Sequence, residues 1–510
     1  MIESSVLLES EVQNKWEASE MRFSIGAKTN PVNSKQHVLQ QKRSFIEDEG
    51  TGSETSEEIS HNEIPETWLP SSWRSYPALQ QPVYENTTLL NQQLQIINEM
   101  PSIVSVNEIE SLQADLKQVE TGNAFFIQMG DCAERFAEMN NQFMEKKIKA
   151  ITAVSRIFAN MLNKKCVKIG RIAGQFAKPR SQEFEKLPDG TLQYNYRGDN
   201  VNSLESRKPD PLRLSQGYFH SVAAMNFIRA QQKHIMRNKL NIQELLEAKM
   251  YPQKQQISAE QQKQFVDNQI TAIEDVNLNN DEMYISHEGL LLNYEEAMTK
   301  YFNYKYYNTS THLLWMGERT RQLEGAHVNF FSGIQNPIAV KVGPKTDGNL
   351  LKQLVNKLNP QNAQGRLIII CRMGNKNISN VLPALVLAKK EYNLNFIWSC
   401  DPMHGNTFST NQNVKTRSVK DVLEELTKFA TILHENKENI GGIHLETSPN
   451  QVTECLGLEI EDQDLNVCYT SACDPRLNIS QTLYITYQFA LLLQSLYNKK
   501  NTGQIPELDN

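Results

Sequence analysis

The sequence predicts an α/β protein built on a (β/α)8 barrel, with an N-terminal extension and a helical insertion after the second strand. Eight short apolar runs, mostly separated by helix-length stretches, carry this prediction. Each run stops at or just before a residue able to bind a metal or an anion, as expected where strand ends meet at a barrel mouth. The runs are AFFIQM (124–129), VKIGR (167–171), EMYIS (282–286), HLLWM (312–316), IAVKV (338–342), RLIIIC (366–371), NFIWSC (395–400) and GIHL (442–445).

The composition indicates a soluble protein with a large packed core. Of 510 residues, 39% are hydrophobic, and the formal net charge of -7 argues against a nucleic acid or an anionic membrane as partner. The N-terminus carries acids where a signal peptide would be basic. Seven cysteines without a CxxC pair are expected to be mainly thiols, which favours the reduced cytoplasm.

The regions before and within the barrel differ in composition. Residues 1–62 are polar and contain the acidic stretch EDEGTGSETSEEIS, which predicts a flexible arm. Residues 63–120 include PETWLPSSWRSYPALQQPVY, which predicts an extension that packs on a barrel end or a subunit interface. The catalytic barrel is expected over 121–510, and NQFMEKKIKAITAVSRIFANML predicts an amphipathic helix between its first two strands. The connection after the second strand is unusually long and predicts an inserted helical region at about 230–280.

Four residues near the predicted strand ends combine sulfur, nitrogen and oxygen donors. They are Cys132 in GDCAERF, His404 in CDPMHGN, Glu446 in GGIHLET and Asp474 in SACDPRLN. Such a set suits a borderline divalent ion such as Mn, Fe, Co or Zn, and one sulfur among harder ligands indicates a catalytic ion. The alternative is that the thiol and imidazole are core packing and the acids pair with arginines. Convergence on one barrel face favours the metal.

A basic cluster follows other strand ends and predicts an anion pocket. Arginine binds phosphate or carboxylate through two N–H groups, and lysine adds a point charge. Glu318 either pairs with Arg319 or contacts the ligand, and NVKTR offers a second, weaker anion site. The phosphate-loop pattern GxxxxGKS/T, the HExxH motif and a dinucleotide fingerprint are absent from the sequence, which argues against nucleotide hydrolysis and hydride transfer. The cluster comprises Arg171, Lys178, Arg180, Arg319, Arg321, Lys341 and Arg372, with Lys415 and Arg417 in the second site.

Motifs in a fixed order make the chain resemble the class II (plant-type) 3-deoxy-D-arabino-heptulosonate 7-phosphate (DAHP) synthases. The resemblance runs from about residue 68 to 490 and is far more specific than any single motif. The loops TECLGLEIED and YTSACDPRLN depart from the usual family pattern without removing a predicted ligand. The matching stretches include SWRSYPALQQPVY, GDCAERF, KIGRIAGQFAKPRS, SHEGLLLNYEEAMT, WMGERTRQLEGAHVNFFSGIQNPIAVKVGP, CRMGNKNISNVLP, WSCDPMHGNT and CDPRLN.

The resemblance implies a condensation of phosphoenolpyruvate with D-erythrose 4-phosphate, giving DAHP and phosphate, at the first step of the shikimate pathway. It implies one divalent metal ion, with Mn²⁺ favoured and Co²⁺, Fe²⁺, Zn²⁺ or Mg²⁺ as alternatives, and a homodimer or tetramer. Residue by residue, it assigns the metal to Cys132, His404, Glu446 and Asp474; phosphoenolpyruvate to Arg171, Glu318, Arg319, Lys341 and Arg372; and erythrose 4-phosphate to Lys178, Arg180, Ser181, Lys415 and Arg417.

Two regulatory hypotheses also follow from the resemblance. It places Cys473 near Cys132, and a disulfide between them would take a thiolate from the metal; an inert thiol is the alternative. The insertion at about 230–280 lies where regulated family members bind aromatic amino acids, so feedback control competes with unregulated supply of a secondary pathway such as phenazine synthesis. The alternative functions are another phosphoenolpyruvate-dependent sugar synthase, or an inactive barrel that acts as a partner or scaffold in aromatic biosynthesis.

Overall fold

The computed structural model describes residues 68–186, 189–237 and 282–502. Within them, eight parallel strands close into a barrel and follow one another around the ring in chain order. The last strand pairs with the first, which closes the ring. The predicted (β/α)8 barrel is therefore confirmed, and each of the eight apolar runs overlaps a barrel strand. These are β1 (Ala124–Gly130), β2 (Lys165–Arg171), β5 (Met283–Glu288), β8 (Leu313–Met316), β9 (Ile338–Val342), β10 (Leu367–Cys371), β11 (Ile397–Cys400) and β14 (Gly442–Glu446).

Short antiparallel hairpins lie in three of the connections between barrel strands. They follow β2, β5 and β11, and each pairs only with itself within the described residues. The third hairpin begins three residues after His404 and carries Arg417, which pairs with Glu446 at the end of β14, so it borders the barrel mouth. The hairpins are β3 (Phe184–Lys186) with β4 (Leu192–Tyr194), β6 (Thr299–Phe302) with β7 (Lys305–Asn308), and β12 (Thr407–Ser409) with β13 (Lys415–Arg417).

Helices surround the barrel, and their ends follow local sequence signals. The predicted amphipathic helix begins where the Asn140 side chain accepts a hydrogen bond from the backbone N–H of Phe143, and it ends before Asn163 in the left-handed region. The described helices are α1 (Thr87–Glu99), α2 (Val106–Glu120), α3 (Asn141–Leu162), α4 (Leu212–Arg237), α5 (Leu292–Ala297), α6 (Ala326–Gly333), α7 (Gly348–Leu358), α8 (Ile378–Glu391), α9 (Val419–Glu435) and α10 (Ile479–Thr502). None of these described helices is long and apolar enough to cross a membrane.

Helix α2 covers the end of the barrel where the strands begin. Its Leu116 belongs to the same buried cluster as Phe126 and Ile169 inside the barrel. Its Asp115 pairs with Lys165 at 2.5 Å, at the first residue of β2, and accepts a hydrogen bond from the Tyr284 hydroxyl at 3.0 Å. Because this end is filled, access to the barrel interior is from the carboxyl ends of the strands.

The segment before α1 also contacts barrel helices. Trp73 donates its indole N–H to Glu296 of α5 at 2.8 Å, and Trp68 donates to the backbone carbonyl of Asn329 in α6 at 2.9 Å. The predicted arm (1–62) and positions 238–281 of the predicted insertion lie outside the described residues. The domain bounds stay a prediction.

Candidate active site

The four predicted metal ligands meet at the carboxyl ends of the strands. Cys132 follows β1, His404 follows β11, Glu446 ends β14, and Asp474 lies in the loop before α10. One donor atom each of Cys132, Glu446 and Asp474 lie within 4.8 Å of one another. The imidazole Nε2 of His404 is 3.1 Å from Glu446 Oε1 and 3.9 Å from Asp474 Oδ2. The barrel thus brings together residues more than 300 positions apart in sequence.

A cation already lies among these donors. The Lys178 ammonium is 2.9 Å from Cys132 Sγ, 3.1 Å from Glu446 Oε1 and 2.8 Å from Asp474 Oδ2. Burial favours the neutral carboxyl groups, but His404 and Lys178 hold the pKa of Glu446 well below its usual range. Burial also acts to raise the pKa of Asp474, but the Lys178 ammonium is the strongest of the groups that lower it. The pKa of Asp474 therefore also lies well below its usual range. Both carboxylates are therefore ionised, and we call the group of Cys132, His404, Glu446 and Asp474 the anionic pocket. Its donor set fits a divalent ion.

Further groups fix the orientation of the ligands. Asp401 is fully buried and accepts a hydrogen bond from His404 Nδ1 at 2.7 Å, which turns Nε2 towards the pocket. Lys341 contacts the same Asp401 oxygen at 2.7 Å. Arg417 Nη1 donates to the second carboxylate oxygen of Glu446, Oε2, at 2.8 Å. Arg417 has no exposed surface. Each ligand carboxylate or imidazole therefore has a charged partner behind it.

The residues assigned to phosphoenolpyruvate lie next to this pocket. Arg171 and Lys341 approach the ring of Trp315, with 4.8 Å and 5.9 Å to its centroid. Arg372 forms an ion pair with Glu318 and donates to the backbone carbonyl of His404 at 2.8 Å. Arg319 is exposed at the rim and donates to Ser181 Oγ at 3.1 Å. These cations form a basic surface beside the anionic pocket.

The residues assigned to erythrose 4-phosphate divide into two groups. Lys178 and Arg417 are buried and belong to the anionic pocket. Lys415 is exposed and pairs with Asp474, and Ser181 is exposed beside Arg319. The backbone N–H of Arg180 bonds to Gln80 Oε1 at 2.9 Å, and its side chain is partly exposed. Their substrate roles stay a prediction.

Sequence reasoning missed a hydrogen-bonded chain inside the barrel. Gln128 donates through Nε2 to Ser286 Oγ at 3.0 Å and accepts through Oε1 from His444 Nδ1 at 2.7 Å. His444 Nε2 then accepts from Arg171 Nη1. All four side chains are buried. The available signal was a polar residue at one inward-facing position within each of the mostly apolar strands β1, β5 and β14.

A second missed network ties together the loops that carry Cys132 and Asp474. Asp131 is fully buried and contacts Lys147 at 2.5 Å and Arg476 at 2.7 Å. Arg476 also pairs with Glu454 at 2.8 Å. Because Asp131 and Arg476 flank the two ligand loops, this buried pair fixes one loop against the other. Sequence reasoning had no means of pairing charges separated by hundreds of residues.

The comparisons with known proteins cover the barrel and the site together. Residues 68–490 match the model of the Class-II DAHP synthetase family. Phospho-2-dehydro-3-deoxyheptonate aldolase of Neurospora crassa is 37% identical over 454 residues, which cover 83% of this chain and 94% of that protein. The protein of the same name from Streptomyces coelicolor is 36% identical, with 82% and 96% covered. Phospho-2-dehydro-3-deoxyheptonate aldolase AroG of Mycolicibacterium smegmatis is 36% identical, with 82% and 93% covered.

Proposed function

The chain belongs to the class-II DAHP synthetase family, and on that premise we propose how its barrel mouth performs the family's reaction. It is a 3-deoxy-7-phosphoheptulonate synthase, a transferase of the shikimate pathway, so the resemblance found in the motifs is confirmed. Its substrates are phosphoenolpyruvate and erythrose 4-phosphate. In the reaction, C3 of phosphoenolpyruvate bonds to the aldehyde carbon, water adds at C2, and the C2–O bond to phosphate breaks.

The observation that carries a metal-dependent mechanism is the convergence of Cys132, His404, Glu446 and Asp474 around a cationic group. We propose that these four residues hold one divalent ion, with Mn²⁺ favoured over Co²⁺, Fe²⁺, Zn²⁺ and Mg²⁺. When bound, such an ion supplies Lewis-acid polarisation of the aldehyde oxygen. Asp401 keeps the His404 imidazole turned towards the site by the hydrogen bond at Nδ1.

Phosphoenolpyruvate is anionic at both ends, and the basic surface beside the pocket matches that charge. Among the described partners, four of the five N–H groups of Arg171 are used by Asp131, Cys132, His444 and Glu446, which leaves one for the substrate. Lys341, Arg319 and Arg372 add positive charge, and Glu318 orients Arg372 by pairing with it. These groups hold C3 towards the aldehyde and stabilise charge that moves to the departing phosphate.

For erythrose 4-phosphate we propose two modes of action. Arg180, Ser181 and Lys415 are at least partly exposed and would contact the sugar phosphate itself. Lys178 and Arg417 would act from within the pocket, by balancing the charge of Glu446. This division follows from burial: Lys178 and Arg417 are buried against Glu446, whereas the side chains of Arg180, Ser181 and Lys415 reach the surface.

The decisive experiment measures loss of phosphoenolpyruvate in the presence of erythrose 4-phosphate after chelation and after adding back single metals. Chelation should abolish the rate, and Mn²⁺ should restore it. Asp474→Asn should lower metal affinity by more than about tenfold, since a charged ligand is lost. Asp462→Asn, at an exposed position, serves as the matched control and should bind metal normally. Full activity in the chelated enzyme would contradict the metal role.

Two competing functions have their own tests. Another phosphoenolpyruvate-dependent sugar synthase would accept a different aldehyde in preference to erythrose 4-phosphate. An inactive scaffold would show no turnover with any aldehyde, although every predicted ligand residue is present in this chain. We further propose a cytoplasmic homodimer or tetramer.

We also propose two ways in which the enzyme is regulated, by oxidation of cysteines and by aromatic amino acids. Cys132 and Cys473 are both free thiols in the structure. A two-electron oxidant such as a peroxide would join them in a disulfide with loss of both thiol protons, and this would remove one metal ligand. Oxidised and reduced enzyme should then differ in metal content, and equal content would refute the proposal. The insertion proposed to bind phenylalanine, tyrosine or tryptophan lies largely outside the described residues. Adding these amino acids to the assay distinguishes the two hypotheses: inhibition would favour feedback control, and no inhibition would favour unregulated supply of a secondary pathway.

A further inference from the structure

Glu425 is an acidic residue at a core position of helix α9. It has no exposed surface, and Val422, Leu426 and Phe429 of the same helix are buried around it. Burial raises the pKa of Glu425 to about 8, although backbone N–H donors oppose the rise. A buried carboxyl group is costly unless it is hydrogen-bonded. Its partners therefore indicate what this residue does.

The Glu425 carboxyl group bridges two loops of the barrel mouth. Oε1 accepts the backbone N–H groups of Met373 at 3.0 Å and Gly374 at 2.8 Å. Oε2 accepts the side-chain amide of Asn406 at 2.7 Å. Met373 and Gly374 belong to the loop after β10, whereas Asn406 belongs to the loop after β11.

Each bridged loop carries a residue of the proposed site. Arg372, assigned to phosphoenolpyruvate, is bonded in the chain to Met373. His404, assigned to the metal, lies two residues before Asn406. The same loops touch directly, since Arg372 donates to the His404 carbonyl at 2.8 Å and Asn406 Oδ1 accepts from the Asn375 N–H at 2.8 Å.

We infer that Glu425 is a positioning residue that couples the metal loop to the phosphoenolpyruvate loop, so that each ligand binds more tightly when the other is bound. The inference rests on the proposed roles of His404 and Arg372, because Glu425 itself lies behind the site. A ligand that fixes one loop also fixes the other through the bridge, so the second ligand meets a loop that is already ordered. By thermodynamic linkage, the effect must be equal in both directions.

The test is calorimetric titration of Mn²⁺ into the full chain with and without phosphoenolpyruvate, and the reverse titration. In the wild type, each ligand should raise the affinity for the other about tenfold, within the usual range for coupled sites. In Glu425→Gln, the remaining carbonyl oxygen can still accept the backbone N–H groups of Met373 and Gly374. The new side-chain NH₂ then faces the NH₂ of Asn406, and two donors cannot form a hydrogen bond. The bridge is therefore broken at one loop, and the coupling should fall below about twofold.

Glu424→Gln is the matched control on the neighbouring residue of α9. Glu424 is half-exposed and bonds to Asn375 at 2.9 Å and Lys428 at 2.8 Å, so it contacts only one of the two loops. This variant should keep the wild-type coupling. If Glu425→Gln does not fold, Asn406→Ala cuts the same bridge from the other side and should also abolish coupling.

The outcomes separate this inference from the proposed function. Folded Glu425→Gln or Asn406→Ala with wild-type coupling would overturn the inference, as would a wild type that binds both ligands independently. A variant that is merely less stable, with unchanged coupling, would assign Glu425 to structure alone. A wild type that binds neither Mn²⁺ nor phosphoenolpyruvate would instead contradict the proposed function.

Discussion

Arg171 shows how a single residue at the barrel mouth is oriented by its neighbours. Its guanidinium donates to the carbonyls of Asp131 and Cys132, to Glu446 and to His444. The His444 contact depends on Gln128, which accepts from the opposite ring nitrogen at 2.7 Å. Because a guanidinium can only donate and a neutral imidazole has one donor and one acceptor nitrogen, His444 accepts from Arg171 through Nε2 and donates to Gln128 through Nδ1.

Gln128→Leu tests this orientation at the residue scale. The change leaves His444 Nδ1–H without its acceptor, whereas the Ser286 hydroxyl keeps its hydrogen bond to the Gly170 carbonyl at 2.9 Å. The unpaired buried N–H should cost about 1–3 kcal/mol of stability. The His444 ring is then free to turn away from Arg171, which loses one of its four contacts, so KM for phosphoenolpyruvate should rise up to about tenfold with a smaller change in kcat, as expected when ground-state binding is weakened. Steady-state kinetics and chemical unfolding provide both measurements.

Ser399→Ala is the control for Gln128→Leu. Ser399 is fully buried in β11, and its hydroxyl has no hydrogen-bond partner among the described residues. Its removal should leave KM unchanged. A folded Gln128→Leu enzyme with the KM of the wild type would show that the chain from Ser286 to Arg171 does not position the arginine.

At the scale of elements, buried polar residues next to the strands bind the backbone of neighbouring strands. His312 immediately precedes β8 and is 1% exposed, and its Nδ1 accepts the backbone N–H of Ile285 in β5 at 2.9 Å. Burial lowers the pKa of His312 to about 4. The neutral ring therefore joins two barrel strands, and protonation would remove its acceptor.

The pH dependence of unfolding follows from this pKa. Between pH 6.5 and about 4, the unfolded chain binds a proton at His312 and the folded chain does not, so the free energy of unfolding falls as the pH is lowered. The loss contributed by His312 is on the order of 3 kcal/mol. His312→Asn keeps an acceptor oxygen but cannot titrate, and should reduce the loss in urea unfolding measured across this range. His434→Asn, at a partly exposed position, is the control and should not reduce the loss. Equal pH dependence of the wild type and His312→Asn would refute the role of His312.

For the whole molecule, the barrel is closed at one end and reactive at the other. Helix α2 fills the end where the strands begin, with Leu112, Leu116 and Val119 in the same cluster as the interior residues Phe126 and Trp315. The proposed metal ligands and the cations assigned to the substrates lie at the opposite end. Stability and chemistry therefore depend on different ends of one barrel.

Leu116→Ala tests that separation. Leu116 is fully buried, so the truncation should lower the free energy of unfolding by about 2–5 kcal/mol through lost burial and the cavity left behind. The kcat of the folded enzyme should stay close to that of the wild type. Leu387→Ala on α8, where the leucine is 62% exposed, is the control and should change neither quantity appreciably. A large fall in kcat for folded Leu116→Ala would contradict the separation.

The sequence alone determined the barrel and the convergence of its main donors. Eight apolar runs that each end at a binding residue specify eight strands, and parallel strands in a barrel place their carboxyl ends together. For that reason Cys132, His404, Glu446 and Asp474 could be predicted as one group before any coordinates. The order of motifs likewise predicted the family.

Only the tertiary structure decided which buried polar groups share a hydrogen bond. Gln128 and His444 are 316 residues apart, and Glu425 lies 52 residues after Met373, so strand register and helix packing alone bring them into contact. It also decided that Lys178 and Arg417 face the anionic pocket from inside. The physical reason is that residue type and local period specify the strands, whereas closure of the barrel determines which side chains are removed from water together.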